Sequence, residues 1–149
     1  MCAIQERDLW QESRSAGLRG TELHQGDALA FLSGTTTRFD SVLSVFGAGY
    51  FTDPALMLPA VHEVLVPGGV LAMSQHPPIE GCYGCQASYI PRGPDEDPAV
   101  VKRWDYPPET WIDLLRTYGF EDTTATVLPA PEHGRRRIGT LLIRGVRSA

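Results

Sequence analysis

Two apolar runs constrain the architecture more than any other feature of the chain. Phe39–Gly49, "FDSVLSVFGAG", is almost continuously apolar, and Gly69–Gln75, "GVLAMSQ", is a second short run. The first fits a strand buried on both faces, and the second is another apolar strand. Between them lies "TDPALMLPAVHEVLVPGG". Asp53 before Pro54 reads as a helix start, with proline tolerated in the first turn. Pro59 predicts a short turn followed by a helix restarting there. Val61, Val64 and Leu65 form its buried stripe, and Pro67-Gly68-Gly69 ends it. The result is a strand–helix–strand unit.

Downstream, "PPETWIDLLRTYGF" places Trp111, Leu114, Leu115 and Tyr118 at helical spacing, with Pro108 and Glu109 in the first turn and Gly119 as the stop. "TTATVLPA" and "IGTLLIRGV" predict two strands that close the chain as an antiparallel hairpin. Its turn, "PEHGRRR", carries Arg135, Arg136 and Arg137 as a solvated tip. Strands near 40–46, 69–75, 123–128 and 138–145 are expected in one sheet, giving an α/β fold with that hairpin appended. Upstream, residues 1–16 read as a helix anchored by Ile4, Leu9 and Trp10 and ending near Gly17. Thr21–Leu29, "TELHQGDAL", reads as a short strand leading into a Gly26-Asp27 turn, and "ALAFL" as a helical turn. Residues 76–106 read as one long loop, rich in proline, glycine and acidic residues, of the kind that is functional or mobile.

Composition narrows the partners. A chain of 149 residues is long enough for one hydrophobic core. Its formal net charge of −5 argues against nucleic acid or an anionic membrane surface, both of which want a basic face. No run approaches the roughly 18 apolar residues of a membrane helix. Three cysteines without a signal sequence argue against a disulfide framework, so the protein is expected to be cytoplasmic with reduced thiols.

The segment "QHPPIEGCYGC", Gln75–Cys85, tests three chemistries. Zinc would draw on His76, Cys82 and Cys85, but the second half of a closed four-ligand site is missing and only Cys2 is left to supply it. A zinc deaminase needs H-x-E on a helix before P-C-x-x-C; here His62 and Glu63 are adjacent, and glycine precedes Cys82. A thioredoxin-like pair belongs at a helix start, which Gly81 and Gly84 oppose. The expectation is no metal. The segment is read as a loop over the substrate side, in which Tyr83, Tyr89, Trp104 and Tyr106 shape a pocket. His76 leaves the end of a strand and is the candidate general base, against the plainer reading of a solvent-exposed loop histidine.

The order of elements, with "GDA" at Gly26–Ala28, "FDSVLSVFGAGYFTDP" at Phe39–Pro54, "LVPGGVLAMSQ" at Leu65–Gln75 and "LLRTYGF" at Leu114–Phe120, resembles the class I S-adenosylmethionine-dependent methyltransferases from about residue 20 onward. The resemblance implies that Asp27, beside Ala28, accepts from the adenine amino group. It implies that Ser44, Val45 and Phe46 line the cofactor pocket at the end of the fourth strand, and that the region after Gln75 faces the substrate. The departure lies upstream. The family's glycine-rich loop and the acidic residue that holds the ribose have no counterpart before Thr21. "FGAGYF" lacks the third glycine of a dinucleotide fingerprint and sits at the fourth strand, not the first.

The chain therefore resembles a single methyltransferase-like domain, residues 1–149, without its first βαβ portion. The expected fold is a truncated Rossmann-like sheet, mostly parallel with a C-terminal antiparallel hairpin. In the family's strand order, 3-2-1-4-5-7-6, that leaves the 40–46 strand without a partner on one side, so a homodimer or a partner chain is expected to cover the edge. The implied activity is methyl transfer from S-adenosylmethionine to oxygen or nitrogen of a small, aromatic molecule. The rival is a non-methylating relic that binds a small molecule or serves as a partner subunit. Two or three lost hydrogen bonds to charged groups, at roughly 1.5–3 kcal/mol each, would weaken cofactor binding by about two to six orders of magnitude.

Overall fold

The computed structural model describes residues 22, 24–133 and 137–149. The helix expected over 1–16 lies outside them, as do Thr21 and Leu23 of the expected strand; Glu22, His24 and Gln25 belong to neither helix nor strand. The first element is α1 (Ala28–Gly34), capped by Asp27, whose Oδ1 accepts from Ala30 N at 2.9 Å. Next come β1 (Phe39–Val45), α2 (Ala48–Phe51), α3 (Pro54–Val64) and β2 (Leu65–Gln75). A hairpin of β3 (Gly84–Ile90) and β4 (Ala99–Asp105) follows, then α4 (Pro108–Thr117), β5 (Phe120–Leu128) and β6 (Thr140–Arg147).

One four-stranded sheet has the order β1-β2-β6-β5. β1 pairs parallel with β2, and β6 pairs antiparallel with both β2 and β5. Three strands therefore point one way and β6 returns between them, which is the expected α/β sheet with a closing hairpin. A helix crossover permits the parallel pair: α3 starts on Asp53, whose Oδ1 accepts from Ala55 N at 2.9 Å, with Pro54 in the first turn. α3 runs unbroken through Pro59, contrary to the expected restart. A proline there removes one N–H donor, and Met57, Leu58, Val61 and Val64, all buried on the same core, hold the axis.

The core sits on one face of the sheet. Leu71, Met73, Leu141 and Ile143 from β2 and β6 pack with that stripe of α3 and with Trp111 and Leu115 of α4. Arg147 ties the end of β6 to the start of β2 through Nη1, which donates to the carbonyls of Glu63 and Leu65. Gly119 has φ +84, and a Cβ there would come within 2.8 Å of His62 Nε2, so only glycine lets α4 turn into β5 against the α3 histidine.

Two expectations about burial fail. β1 is not buried on both faces: Leu43 is 73% and Val45 63% exposed, because among the described residues β1 is an edge strand with helices on one side only. Residues 76–106 are not one loop. They hold the β3–β4 hairpin, a separate two-stranded sheet in register from Gly84↔Asp105 to Ile90↔Ala99. Its inner face (Gly84, Gln86, Ser88, Ala99, Val101, Arg103, Asp105) is shielded to varying degrees, whereas the opposite face is largely exposed. That period-two pattern lies behind the prolines and glycines at either end of the segment.

Candidate active site at the carboxyl ends of β1 and β2

β1 ends in a tight turn. Phe46 has φ +47, a left-handed conformation that costs a non-glycine residue of order 1 kcal/mol. Its N–H donates to Ser74 O at 2.8 Å, which fixes the turn to the neighbouring strand. Ser44 is buried, and its Oγ accepts from Gly49 N at 3.0 Å, so α2 is docked onto the strand end by a side chain of β1. A Cβ at Gly49 would lie 2.7 Å from Met73 Sδ and 3.2 Å from Ser44 Oγ, which is why the helix approaches this closely. The approach places Tyr50 between the strand ends and β4.

His76 follows β2 directly. Its ring meets that of Phe46 edge-on, with centroids 5.1 Å apart, and that of Tyr50 at 6.3 Å and 90°. Two of the expected site residues, His76 and Phe46, therefore meet, and Tyr50 joins them. β4 closes the far side. Gln75 Nε2 donates to Trp104 O at 3.2 Å, tying the end of β2 to the hairpin. Next to Trp104, Asp105 Oδ2 accepts from Arg103 Nε at 2.8 Å. The Tyr50 phenol is pushed up to about 12, first by burial and then by the negative charge of Asp105, with Arg103 working the other way. Burial, and then the charges of Asp53 and Cys85, raise the pKa of Tyr106. Its ring packs edge-on against Trp111 at 5.8 Å.

The remaining expected residues scatter. Asp27 and Ala28 begin α1, and the Asp27 carboxylate is engaged as an exposed helix cap. α1 packs against α3, where the two helices border an open cavity of about 470 Å³ lined by Leu29, Leu32, Leu56 and Ala60 among others. Val45 points to the uncovered face of the sheet. Tyr89 is 67% exposed and shares the outer hairpin face with Cys85 and Trp104, while Tyr83 precedes the hairpin and is exposed. Neither tyrosine joins the His76 cluster as the hairpin lies; of the four aromatic residues expected around a pocket, Trp104 and Tyr106 are the half-buried pair. Cys82 and Cys85 are exposed free thiols, and among the described residues no three His, Cys, Asp or Glu side chains gather as a metal site requires.

Tyr50, Gln75, Arg103 and Asp105 were not anticipated. A strand reading of "AVVKRWD" would have found the last two, because alternation puts Arg103 and Asp105 on the same side as Ala99 and Val101. Tyr50 had no such signal; its place depends on the turn at Phe46.

Comparison with solved structures follows this geometry. The glycopeptide N-methyltransferase MtfA, complexed with S-adenosyl-L-homocysteine, superposes with a TM-score of 0.63 at 19% identity, over 97% of this chain and 70% of that one. An S-adenosylmethionine-dependent methyltransferase from Clostridium acetobutylicum gives 0.60 at 12% identity, over 98% and 73%. CalS10, an amino pentose methyltransferase from Micromonospora echinaspora solved with S-adenosylmethionine bound, gives 0.52 at 20%, over 95% and 71%.

The fold is that of the class I S-adenosylmethionine-dependent methyltransferases.

The observed order β1-β2-β6-β5 matches strands 4-5-7-6 of the methyltransferase sheet. No family model matches the sequence, and no curated protein matches it. For the cofactor, the described residues fit in part. The Ser44–Phe46 turn, with its left-handed phenylalanine, stands at the carboxyl end of β1. No described residue supplies the glycine-rich turn or the ribose carboxylate. Among the described residues no helix is long and apolar enough to cross a membrane.

Proposed function

We propose that this chain carries the acceptor side of a methyl-transfer site and moves a methyl group from S-adenosylmethionine to oxygen or nitrogen of a small, ring-containing molecule. The observation that carries the reading is the meeting of Phe46, Tyr50 and His76 where β1 and β2 end. The cofactor supplies an activated methyl group; the protein's part is to hold the acceptor in line with it. Phe46 walls one side of that space. His76, half-buried between two aromatic rings, takes the proton the acceptor loses. Trp104 and Tyr106 shape the outer rim, which suits a flat ring better than a polymer.

The isolated chain binds S-adenosylmethionine weakly, at millimolar levels, because only one wall of the cofactor site is present among the described residues. Calorimetric titration tests this: saturable micromolar binding would refute it, and loss of such binding in Asp27→Ala would place the adenine at α1. Transfer of an isotopically labelled methyl group to small aromatic amines and alcohols, lost in His76→Ala, tests the activity itself.

The free edge of β1, with Leu43 and Val45 exposed beside it, favours a second feature. A second copy of the chain pairs there, and through that contact supplies what the cofactor site lacks. Pairing without any methyl transfer would favour the rival reading, a small-molecule-binding or partner subunit.

A further inference from the structure

Asp105 is the one buried carboxylate among the described residues, 2% exposed. Half of it is satisfied: Oδ2 accepts from Arg103 Nε at 2.8 Å. Oδ1 is fully buried and has no hydrogen-bond partner. Two more atoms nearby are in the same condition. Gln75, 1% exposed, donates through Nε2 to the carbonyl of Trp104, the residue before Asp105, and its Oε1 is buried without a partner. Tyr50, 5% exposed, has its Oη buried without a hydrogen bond of normal geometry; burial, the charge of Asp105 and an imperfect hydrogen bond to that carboxylate all raise its pKa. Three different elements, α2, β2 and β4, thus bring unsatisfied polar atoms to one place beside His76.

The inventory of donors and acceptors is unbalanced. Asp105 Oδ1, as a carboxylate oxygen, and Gln75 Oε1 only accept. Tyr50 Oη has one hydrogen to give. One donor cannot serve two acceptors, one of which carries a negative charge. Leaving a buried acceptor unpaired costs about 1–3 kcal/mol, and more for a charged one. Such groups in a folded protein mark a place where something else supplies the donors. What fits is a group rich in N–H and positively charged. A phosphate, carboxylate or ether offers no donors and is excluded by the same count.

We propose that Asp105, Gln75 and Tyr50 form a subsite that anchors an amine of the acceptor molecule, and so set its specificity for amino compounds over their hydroxyl counterparts. The amine donates to Asp105 Oδ1 and Gln75 Oε1, Arg103 holds the carboxylate in place, and the rest of the molecule leads past Tyr50 to His76 and Phe46. The inference rests on the methyl-transfer reading for its meaning but not for its test, which needs no cofactor.

The test titrates the full chain with benzylamine and with benzyl alcohol, two probes of the same shape, following side-chain and amide signals by NMR. Benzylamine should bind at least 10-fold more tightly, shifting Gln75 Nε2–H₂ and the Trp104–Asp105 amides, and Asp105→Asn should erase the difference while the alcohol still binds as before. Equal binding of the two probes, binding of neither, or a preference that survives in Asp105→Asn would overturn the proposal. Should Asp105→Asn fail to fold, the wild-type spectra decide: benzylamine shifts confined to residues away from Gln75 and Asp105 would overturn it. A separate titration with S-adenosylmethionine and a transfer assay keep the two readings apart. Amine preference with no methyl transfer would sink the methyl-transfer reading and leave the subsite standing; transfer to alcohols and amines alike would do the reverse.

Discussion

The two faces of the four-stranded sheet are built from alternate residues of the same strands and live in different surroundings. On one face Leu71 and Met73 of β2 and Leu141 and Ile143 of β6 are sealed by α3 and α4. On the other, Leu43 and Val45 of β1, Ala72 and Ser74 of β2, and Leu142 of β6 share a surface that no described helix covers. The second face is only moderately polar: Arg144 and the threonines at 124 and 126 alternate with exposed aliphatic side chains. A sheet designed to meet water on one side would alternate more cleanly. The strands thus have the composition of a sheet sandwiched between two layers, and the described residues provide one layer. The site sits at the carboxyl rim of this half-covered sheet and draws on residues of the covered face, Ser44 and Gln75, plus those that follow the strands.

The largest expected effect sharpens that contrast. Ile143→Ala on the sealed face should lower stability by about 2–5 kcal/mol, the usual range for removing a branched aliphatic side chain from a packed core. Urea denaturation measures it. A loss below about 1 kcal/mol would mean that the packing of α3 and α4 on β6 is not the main support of the fold.

Much of the covered half could be read from sequence. Asp53-Pro54 announced α3, the spacing of Trp111 and Leu115 announced α4, and Gly119 its stop, because caps and helical periodicity are local signals. The errors share a cause. The near-continuous apolar run of β1 was read as burial on both faces, yet such a run reports only what a strand is suited to, and which layers cover it is decided by distant parts of the chain. The hairpin inside 76–106 was hidden because prolines and glycines at its ends outweighed the alternation of "AVVKRWD". With it went Asp105. The position of His76 and Phe46 at the strand ends was legible because both directly follow apolar runs. Tyr50 was not, since it depends on a backbone turn with positive φ at Phe46 and on how close Gly49 lets α2 come.

The next effect concerns the open face. Val45→Lys together with Leu43→Lys should convert a dimer at tens of micromolar to a monomer in light scattering, as charges on an edge strand block pairing. A dimer that survives both substitutions would place the contact away from β1. A wild type that is monomeric at that concentration would break the proposal of a second copy outright.

Tyr50 stands between the two faces in expected size. Its folded pKa, about 12, lies above the ordinary tyrosine value of 10.0, so the neutral phenol is the form the fold favours. The stabilising difference is fully present below pH 10 and is lost as pH rises through the folded value. Between about pH 10 and 12 the wild type should therefore lose stability that Tyr50→Phe does not lose, seen as diverging melting temperatures over that range. Near neutral pH the substitution should be close to neutral, because the buried hydroxyl it removes has no hydrogen bond of normal geometry. Parallel melting curves at all pH values would mean that burial and the charge of Asp105 do not raise the Tyr50 phenol.

The smallest expected effect is also the one that says most about the open face. Leu43→Thr keeps a strand-forming, branched side chain and replaces an aliphatic surface with a hydroxyl. Leu43 is 73% exposed among the described residues, so little apolar area leaves water there on folding, and a change within about 0.5 kcal/mol is the norm for such a site. Measured on monomer at low concentration, that small value would confirm that solvent is the neighbour of this face. A loss of 1 kcal/mol or more in the monomer would mean that part of the same chain covers Leu43. A loss that grows with protein concentration would mean that a second copy does, since linkage makes the stability of an associating chain depend on how much of it is present. The same leucine thus separates a sheet that tolerates an open face from one completed within the chain or between two chains, and Ile143→Ala supplies the scale against which the answer is read.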